Sequence, residues 1–399
     1  MLSVEEALAA ILARIPVLGT ERVDVIAALG RVLAEPIVSR REIPPWPNSS
    51  MDGYALRAAD TGPGLALTVV GRVEAGGLPS RVLGRGEAMR IFTGAPLPEG
   101  ADTVVPQEDV DAGEGRIALR GSTDLAAYVR PRGEDVRVGD RVLGPGRRLT
   151  AAEIGLLATL GYGQVRVYRR PRVAILSTGN ELADLGTEPG PGQIPNTNSY
   201  TLMAQVIETG GEPISLGVAR DRLESIEERL RAARDADVLV SSAGVSVGEL
   251  DLVREALIRA GAELHLWQVS MRPGKPVTFG SMGGRPVFGL PGNPVSAMVT
   301  FELFVRPALL KMTGCERLQR PRVQARALAP VTNPGARRGY LRVQLERTDA
   351  GLGARLTGEQ GSAILRSMVA ADGLAVVPPD TEVPAGGYLE VIVLRELPS

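Results

Sequence analysis

A chain of 399 residues with 44% hydrophobic and 23% charged side chains is long enough for two or more globular domains. Its 45 Lys and Arg nearly balance its 46 Asp and Glu, so the net charge offers no attraction to a phosphate backbone and no nucleic-acid partner is expected. A single Cys and a single His exclude a disulfide framework, a Cys/His zinc site and a cysteine–histidine protease pair.

The N-terminal segment predicts a helix and a β-rich unit after it. Ser3 and Glu6 have capping-box spacing, so a helix should begin there, and the apolar stretch from Val23 to Leu33 is expected to form a second helix. From about Pro47 to Asp140, short apolar runs are broken by Gly and Pro, which is typical of short strands. There is no secretory signal pattern and no run of membrane-spanning length, so we expect a cytoplasmic protein without membrane contact.

The central part of the chain alternates strands with helices. The pattern begins at Arg172 and runs to a helix from Val295 to Met312, which predicts a parallel sheet with helices on both faces. Such sheets bind ligands outside the carboxyl ends of their strands. After Arg320 the chain returns to short strands, which predicts a separate β-domain.

Polar, Gly-bearing loops follow the central strands, at residues 177–182, 241–248, 270–276 and 289–294. Small residues let backbone amides approach an anion, and the last loop opens a helix whose N-terminus attracts phosphate. Arg272 and Lys275 place two cations in the third loop. Each loop alone is equally consistent with a simple turn, but their shared position at one sheet edge predicts a ligand site.

The scarce residues narrow the chemistry. His265 lies in an alternating strand pattern and Cys315 follows a helix, so both are expected to be structural. Catalysis must then rest on carboxylates, Lys, Arg, hydroxyls, backbone amides or a hard metal held by oxygen. Asp52, Asp135 and Ser362 lie in loops, and composition alone gives them no role.

Eight motifs occur in order along nearly the whole chain: PWPNSSMDGYA, RIFTGAPLPEGADTVVPQED, RGEDV, RVAILSTGNEL, GQIPNTNS, SSAGVSVGELD, MRPGKPV and GLPGNPVSA. Together they closely resemble the molybdopterin molybdenumtransferases, the family that includes bacterial MoeA and the E-domain of gephyrin. The resemblance implies a multidomain α/β and β protein. Its expected parts are a split N-terminal helical region (1–46 and 141–170), an inserted β-rich domain (47–140), a molybdopterin-binding three-layer α/β domain (171–315) and a C-terminal β-barrel (316–399).

The activity implied by this resemblance is a transfer step in molybdenum cofactor biosynthesis. The enzyme would insert molybdate into adenylylated molybdopterin, with Mg²⁺-dependent release of AMP. The resemblance also implies a homodimer, with the active site between the α/β domain of one subunit and the Asp52 region of the other. Transient contact with the molybdopterin adenylyltransferase is expected as well.

The family's active-site positions can be carried over motif by motif. The expected catalytic residues are Asp52, Asp135, Glu181, Asp221, Asp251 and Lys275, of which Asp221 and Asp251 would hold Mg²⁺. The expected binding residues are Thr93, Ser242, Gly244, Ser246, Gly248, Arg272, Pro291, Gly292, Asn293, Pro294 and Ser362, with the substrate phosphates near the amides from Ser242 to Gly248 and near the 292–293 helix start.

Three positions depart from the family pattern. Ala243 stands where Gly is frequent, Gln268 where some members have Lys, and Arg272 where Lys is common.

Two other functions remain open. One alternative is ATP-dependent adenylylation of molybdopterin, since the same α/β domain occurs alone in the family that catalyses that step. The flanking domains and the SMDGYA segment favour the transferase. The other alternative is a scaffold acting by protein contact, as gephyrin also does. The lack of a long disordered linker and the acidic and basic site residues favour an enzyme.

Overall fold

The computed structural model describes residues 1–242 and 252–397 and divides the chain into two compact units. The first unit comprises Met1–Ala34, Pro145–Ile154 and Gln164–Ser399, and the second comprises Glu35–Gly144 and Gly155–Gly163. Among the described residues, no helix is both long and apolar enough to cross a membrane. The helices are α1 (Val4–Leu12), α2 (Ala151–Thr159), α3 (Thr197–Thr209), α4 (Leu223–Ala232), α5 (Leu252–Arg259), α6 (Pro294–Thr300), α7 (Arg306–Met312) and α8 (Leu365–Val369).

The start of the chain confirms one predicted helix and corrects another. Ser3 Oγ accepts a hydrogen bond from the Glu6 amide, and the Glu6 carboxylate accepts one from the Ser3 amide, so the capping box opens α1. The helix predicted from Val23 to Leu33 is wrong. Residues Thr20–Asp24 form a strand that pairs with Gln164–Tyr168, because β-branched side chains such as Val23 pack well against a strand partner that lies far along the chain.

The second unit contains a sheet of six strands. Its order is β7-β4-β6-β5-β9-β8, and its core includes Leu56, Met89 and Ile91, as the Gly- and Pro-broken apolar runs predicted. The first twelve strands are β1 (Thr20–Asp24), β2 (Ile37–Val38), β3 (Asn48–Ser49), β4 (Gly53–Leu56), β5 (Ala66–Val73), β6 (Glu87–Ile91), β7 (Thr103–Pro106), β8 (Val110–Gly113), β9 (Arg116–Leu119), β10 (Val129–Arg130), β11 (Arg141–Leu143) and β12 (Gln164–Tyr168).

The central strands form a sheet with helices on both faces. Along the first central strand, Val173 and Ile175 pack with α1, α3, α6 and α7, while Ala174 and Leu176 pack with α4 and α5. The elements are β13 (Arg172–Thr178), β14 (Leu182–Ala183), β15 (Ile194–Pro195), β16 (Glu212–Ala219), β17 (Val238–Ser242), β18 (Ala262–Gln268), β19 (Met271–Arg272), β20 (Pro276–Met282) and β21 (Arg285–Leu290).

This central sheet is mixed, whereas the sequence predicted a parallel one. Its order is β16-β13-β17-β21-β20-β18, and β20 runs antiparallel to both neighbours. The alternation pattern missed β20, which enters a tight hairpin at Gly283 and Gly284; both have positive φ, which suits a turn of this kind. The other five strands still bring their carboxyl ends to one edge of the sheet.

The C-terminal region is a closed barrel, as predicted. Its strands pair in the order β24-β25-β22-β28-β26, and β26 pairs again with β24 to close the ring. Val343, Val377 and Val391 are fully buried within it. The last strands are β22 (Arg322–Ala327), β23 (Val331–Asn333), β24 (Arg338–Thr348), β25 (Gly351–Leu356), β26 (Gly373–Val377), β27 (Thr381–Val383) and β28 (Tyr388–Val393).

Candidate functional site

A cavity of about 420 Å³ opens at the carboxyl edge of the central sheet. It is large enough for a small organic ligand. Three of the four loops singled out from the sequence contribute to it, as do the residues at the start of α3. The lining residues are Thr178, Glu181, Leu182, Ile194, Pro195, Asn196, Thr197, Asn198, Ser242, Gly292, Asn293 and Pro294.

Asn198 connects three of these elements. Its Nδ2 atom donates to Ser242 Oγ and to the Gly292 carbonyl, both at 2.7 Å. One side chain in the first turn of α3 therefore fixes the end of β17 and the turn before α6. In the sequence, Asn198 is distinguished only by its place in the GQIPNTNS motif, so this bridging role could not be predicted without the sheet order.

Glu181 and Asp221 lie on neighbouring loops at the same edge. Gly179 has a φ of +147°, a backbone conformation that favours glycine, and the Glu181 carboxylate packs against it, since a Cβ atom there would lie 2.4 Å from a carboxylate oxygen. Asp221 Oδ2 accepts a hydrogen bond from the Asn180 amide at 3.1 Å, and the Asp221 amide donates to Asn180 Oδ1 at 3.2 Å. This reciprocal pair holds the Asp221 carboxylate beside the Glu181 loop.

The metal prediction falls partly outside the described residues. Asp251 lies in the stretch 243–251, together with Gly244, Ser246 and Gly248 and with the departing position Ala243, so their arrangement with Asp221 is not described. Within residues 1–242 and 252–397, no group of three or more His, Cys, Asp and Glu residues could hold a metal ion. His265 is an exposed residue of β18 and Cys315 a half-buried residue beyond α7.

A fully buried arginine lies beside the predicted cationic loop. Arg272 in β19 pairs with Gly339 in β24, and three residues further along β24 the Arg342 side chain has no solvent exposure. Arg342 Nε donates to Ser367 Oγ and Nη2 donates to the Gly361 carbonyl, each at 3.0 Å, whereas Nη1 has no partner among the described residues. Burial, with the nearby Arg272 cation, lowers the pKa of Arg342 to about 10.

Arg342 is a candidate that the sequence did not reveal. Its neighbours Leu341 and Val343 are both buried, and the strand context suggests an ordinary charged residue on the outer face. In the sequence, an arginine flanked by apolar residues in a strand is only a weak indication of a functional site. It becomes informative when the structure shows the side chain buried with no carboxylate partner among the described residues. Lys275, in contrast, was predicted and is exposed.

The loop that contacts Arg342 also contacts the start of α6. The Val295 amide donates to the Ser362 carbonyl at 3.0 Å, so Ser362 satisfies one amide at this helix N-terminus. Asn293 is the N-cap residue, but its side chain makes no capping hydrogen bond, and it faces the cavity together with Gly292 and Pro294. Pro291 is buried directly before them. The α6 start therefore links the cavity to the Arg342 loop.

In the second unit, Asp52 and Thr93 form a pair. Asp52 Oδ1 accepts hydrogen bonds from the Thr93 amide and from Thr93 Oγ1, both at 2.8 Å. These two bonds, and then the positive charge of Arg90, hold the pKa of Asp52 below its usual value. Asp135 is exposed in the same unit, and no hydrogen bond joins its side chain to this pair in the described structure.

Three family models together match most of the chain. They are described as the MoeA N-terminal region (domain I and II), at residues 2–161, a probable molybdopterin binding domain, at 174–311, and the MoeA C-terminal region (domain IV), at 324–394. A molybdopterin molybdenumtransferase of Nostoc sp. is 40% identical over 371 residues, which cover 90% of this chain and 85% of that protein. The chain belongs to the molybdopterin molybdenumtransferase family.

Other molybdenumtransferases agree over similar lengths. The protein of that name from Haemophilus influenzae is 38% identical over 324 residues, which cover 80% of each chain. The crystal structure of the molybdopterin biosynthesis MoeA protein from Pyrococcus horikoshii OT3 superposes with a TM-score of 0.86 at 31% identity, covering 98% of this chain and all of that one. These similarities confirm the family, the fold class and the transferase activity predicted from the motifs.

Two positions that depart from the usual molybdenumtransferase pattern can be placed in the structure. Gln268 ends β18 and is exposed, and Arg272 is exposed in β19. Arg272 preserves the charge expected there and adds a planar, forked donor set that lysine lacks. Because Arg272 also acts electrostatically on Arg342, this departure retains a cationic surface next to the barrel.

Proposed function

We propose that this molybdenumtransferase inserts molybdenum from molybdate into adenylylated molybdopterin and releases AMP in the same reaction. The observation that carries the proposal is the buried Arg342 guanidinium, whose Nη1 atom has no partner within residues 1–242 and 252–397 and lies next to a second arginine. Two neighbouring cations with no carboxylate partner among the described residues favour an anionic ligand, because an anion would compensate for the hydration that burial removes.

Molybdate fits this arrangement in charge and in shape. It is a dianion with four oxygen acceptors, and carboxylates such as Glu181 would repel it. Arg272 and Lys275 are exposed on the same turn, so they can attract the anion, while Arg342 offers a donor inside the protein. We propose that the Ser362 loop, which Arg342 contacts through Gly361, completes the oxyanion site.

The cavity at the sheet edge is the proposed site of the adenylylated substrate. Ser242, Gly292 and Asn293 line it, and Asn198 holds the first two in place. The proposed phosphate contacts of Gly244, Ser246 and Gly248 fall outside the described residues. In this arrangement the phosphates would lie at the α6 start, where helix dipoles and backbone amides favour negative charge.

Asp221 and Asp251 are the proposed ligands of Mg²⁺. The donor chemistry fits a hard cation, since Asp221 offers a carboxylate whose orientation is fixed by Asn180. When bound there, Mg²⁺ would offset phosphate charge and polarise the phosphoanhydride for cleavage. The role of the chain is to hold the carboxylates in position, and an Asp221→Asn variant should require more Mg²⁺ for half-maximal AMP release.

We further propose a homodimer in which Asp52 of one subunit completes the site of the other. Asp52 is exposed and its Oδ2 atom has no hydrogen-bond partner among the described residues, so the oriented carboxylate can act on a ligand outside its own unit. The proposed setting is the cytoplasm, with transient contact to molybdopterin adenylyltransferase for substrate delivery.

The first experiment measures AMP release from adenylylated molybdopterin with Mg²⁺, in the presence and absence of molybdate, together with reconstitution of a molybdenum enzyme. The proposal expects molybdate-dependent release that coincides with reconstitution. If AMP is not released but molybdopterin and ATP yield the adenylate, the protein catalyses the preceding step instead.

A second experiment tests the shared site by mixing inactive subunits. Asp52→Ala and Arg342→Met chains are unfolded and refolded together, or co-expressed with different tags. If Asp52 serves the partner's site, about half of randomly assembled dimers are mixed and each has one intact site, which gives about one quarter of wild-type activity. If Asp52 serves its own subunit, no mixed dimer has an intact site and activity stays at the level of the single variants.

A further inference from the structure

Arg90 contacts the Asp52 loop, with its guanidinium close to two aromatic rings. It belongs to β6, next to Tyr54 in β4, and its Cζ atom lies 5.1 Å from the centre of the Tyr54 ring and 4.8 Å from that of Phe92. Aromatic faces attract a guanidinium and restrict the orientation of its plane. The two rings therefore fix the directions in which Arg90 can donate hydrogen bonds.

One of those hydrogen bonds goes to the backbone next to Asp52, and the other goes to the side chain of Gln107. Arg90 Nη1 donates to the Gly53 carbonyl at 2.9 Å, and Nη2 donates to Gln107 Oε1. The backbone amide of Gln107 in turn donates to the Asp52 carbonyl at 3.1 Å. Arg90 thus holds Gly53 directly and Asp52 through Gln107, so two consecutive carbonyls of the loop have fixed partners.

The charge of Arg90 has no ion-pair partner of its own in the part of the chain that the structure describes. The neighbouring Arg72 also lies near the Phe92 ring, at 5.2 Å, but it pairs with Glu74. Arg90 is the charged group that acts on the Asp52 carboxylate among the described residues, in addition to the two Thr93 hydrogen bonds. The contacts that orient the loop therefore also hold the Arg90 guanidinium near the Asp52 carboxylate.

We propose that Arg90 is a positioning residue for Asp52, acting through the Gly53 and Gln107 contacts so that the Asp52 carboxylate stays ionised with Oδ2 available to the substrate. The inference rests on the proposed role of Asp52, but the placement of the carboxylate can be tested separately from turnover. Arg90 does not touch the substrate in this scheme. Its side chain supplies both the orientation and the charge, which neither Lys nor Gln can supply together.

The test compares Arg90→Gln, Arg90→Lys and Gln107→Ala with Arg72→Gln as the matched control. The Asp52 carboxyl is titrated by NMR with ¹³C-labelled Asp, and its signal is assigned by its loss in Asp52→Asn. The pH dependence of AMP release is measured in parallel. Circular dichroism and thermal unfolding show whether each variant is folded, and Gln107→Ala, an exposed substitution, keeps the test available if an Arg90 variant does not fold.

We expect Arg90→Gln to move the Asp52 titration and the acid limb of the rate profile to higher pH. Its kcat should fall on the order of 10-fold, because the carboxylate loses its orientation, with little change in the KM for molybdate. Arg90→Lys keeps the charge without the planar donor set, so its Asp52 titration should stay close to that of wild type while its kcat falls. Gln107→Ala should lower kcat less than Arg90→Gln does. Arg72→Gln should match wild type in both measurements.

An Asp52 titration that is the same in Arg90→Gln and wild type would overturn the inference, whatever the activity. An equal shift in Arg72→Gln would overturn it too, since the effect would then be general surface charge. A shifted titration with unchanged turnover would support the Arg90 contact and instead remove Asp52 from the proposed reaction.

Discussion

The Asp52 loop and the Arg342 site each hold a charged side chain, the first exposed to solvent and the second fully buried. Asp52 is exposed, and two hydrogen bonds from Thr93 orient it while its second oxygen has no partner in the described part of the chain. Arg342 is fully buried and has two hydrogen-bond partners, while its Nη1 atom has none in that same part of the chain. Exposed charges are solvated and need orientation, whereas buried charges interact strongly and need a counter-charge.

The two pKa values are shifted in the same direction for opposite reasons. Hydrogen bonds from Thr93 lower the pKa of Asp52, which stabilises the charged form of a carboxyl. Burial lowers the pKa of Arg342 to about 10, which destabilises the charged form of a guanidinium. The Asp52 charge is therefore stabilised by the protein alone, while the Arg342 charge would be stabilised by the anion that we propose binds there.

The largest expected effect comes from Arg342→Met. Removing the buried donor should lower molybdate-dependent AMP release by about 100-fold. It should not lower the melting temperature, because the apolar side chain removes a buried charge that has no ion-pair partner among the described residues. Activity assays and thermal unfolding measure both effects, with Arg355→Met, an exposed barrel residue, as the control. Loss of stability without loss of activity would show that Arg342 has a structural role, and it would contradict the contrast drawn between the Asp52 loop and the Arg342 site.

A second substitution tests how firmly the Asp52 backbone is held. At Gly53 a Cβ atom would lie 2.1 Å from the Val105 carbonyl oxygen, which is backbone and cannot move aside cheaply. Gly53→Ala should therefore lower the free energy of unfolding by about 2 kcal/mol and reduce turnover as well. Gly121→Ala, where no atom lies within 4 Å, is the matched control in the same unit. Equal stability of the two variants in denaturant titrations would contradict this close packing.

The smallest expected effect is that of Thr93→Val. The variant keeps the amide hydrogen bond to Asp52 but loses the one from Oγ1, so the pKa of Asp52 should rise toward its usual value. In the proposed reaction the ionised carboxylate is the active form, so the acid limb of the rate profile should move to higher pH, with a few-fold loss of rate on the plateau. Ser50→Ala is the control, since Ser50 Oγ donates to the Tyr128 carbonyl. An unmoved acid limb would mean that Oγ1 does not set the Asp52 charge.

Much of the fold follows from patterns that act over short distances. The capping box at Ser3 and the apolar spacing from Val295 to Met312 predicted α1 and the α6–α7 segment, because the hydrogen bonds and buried faces involved lie within one element. The strand at Val23 and the hairpin strand β20 could not be predicted in the same way. Their conformation depends on partners elsewhere in the sheet, which periodicity along the chain does not show.

The candidate site was predictable where a motif carried it. Asp52 and Thr93 lie in motifs far apart in sequence and are joined in the structure, and Ser242, Gly292 and Asn293 line one cavity as the strand order requires. Arg342, Arg90 and Asn198 were missed, because what distinguishes them is burial, stacking or bridging. Those properties arise from tertiary packing and have no signature in the spacing of residues.

The short pairing of β19 with β24 carries Arg272 to the barrel that contains Arg342, so one anion held by both would connect segments from two parts of the first unit. Binding and folding are then thermodynamically linked. A ligand present at 100 times its dissociation constant adds about 2.7 kcal/mol to the free energy of unfolding if it binds only the folded chain. Through this pairing the concentration of the oxyanion would set how large a fraction of the chain is folded, as well as how fast the enzyme turns over.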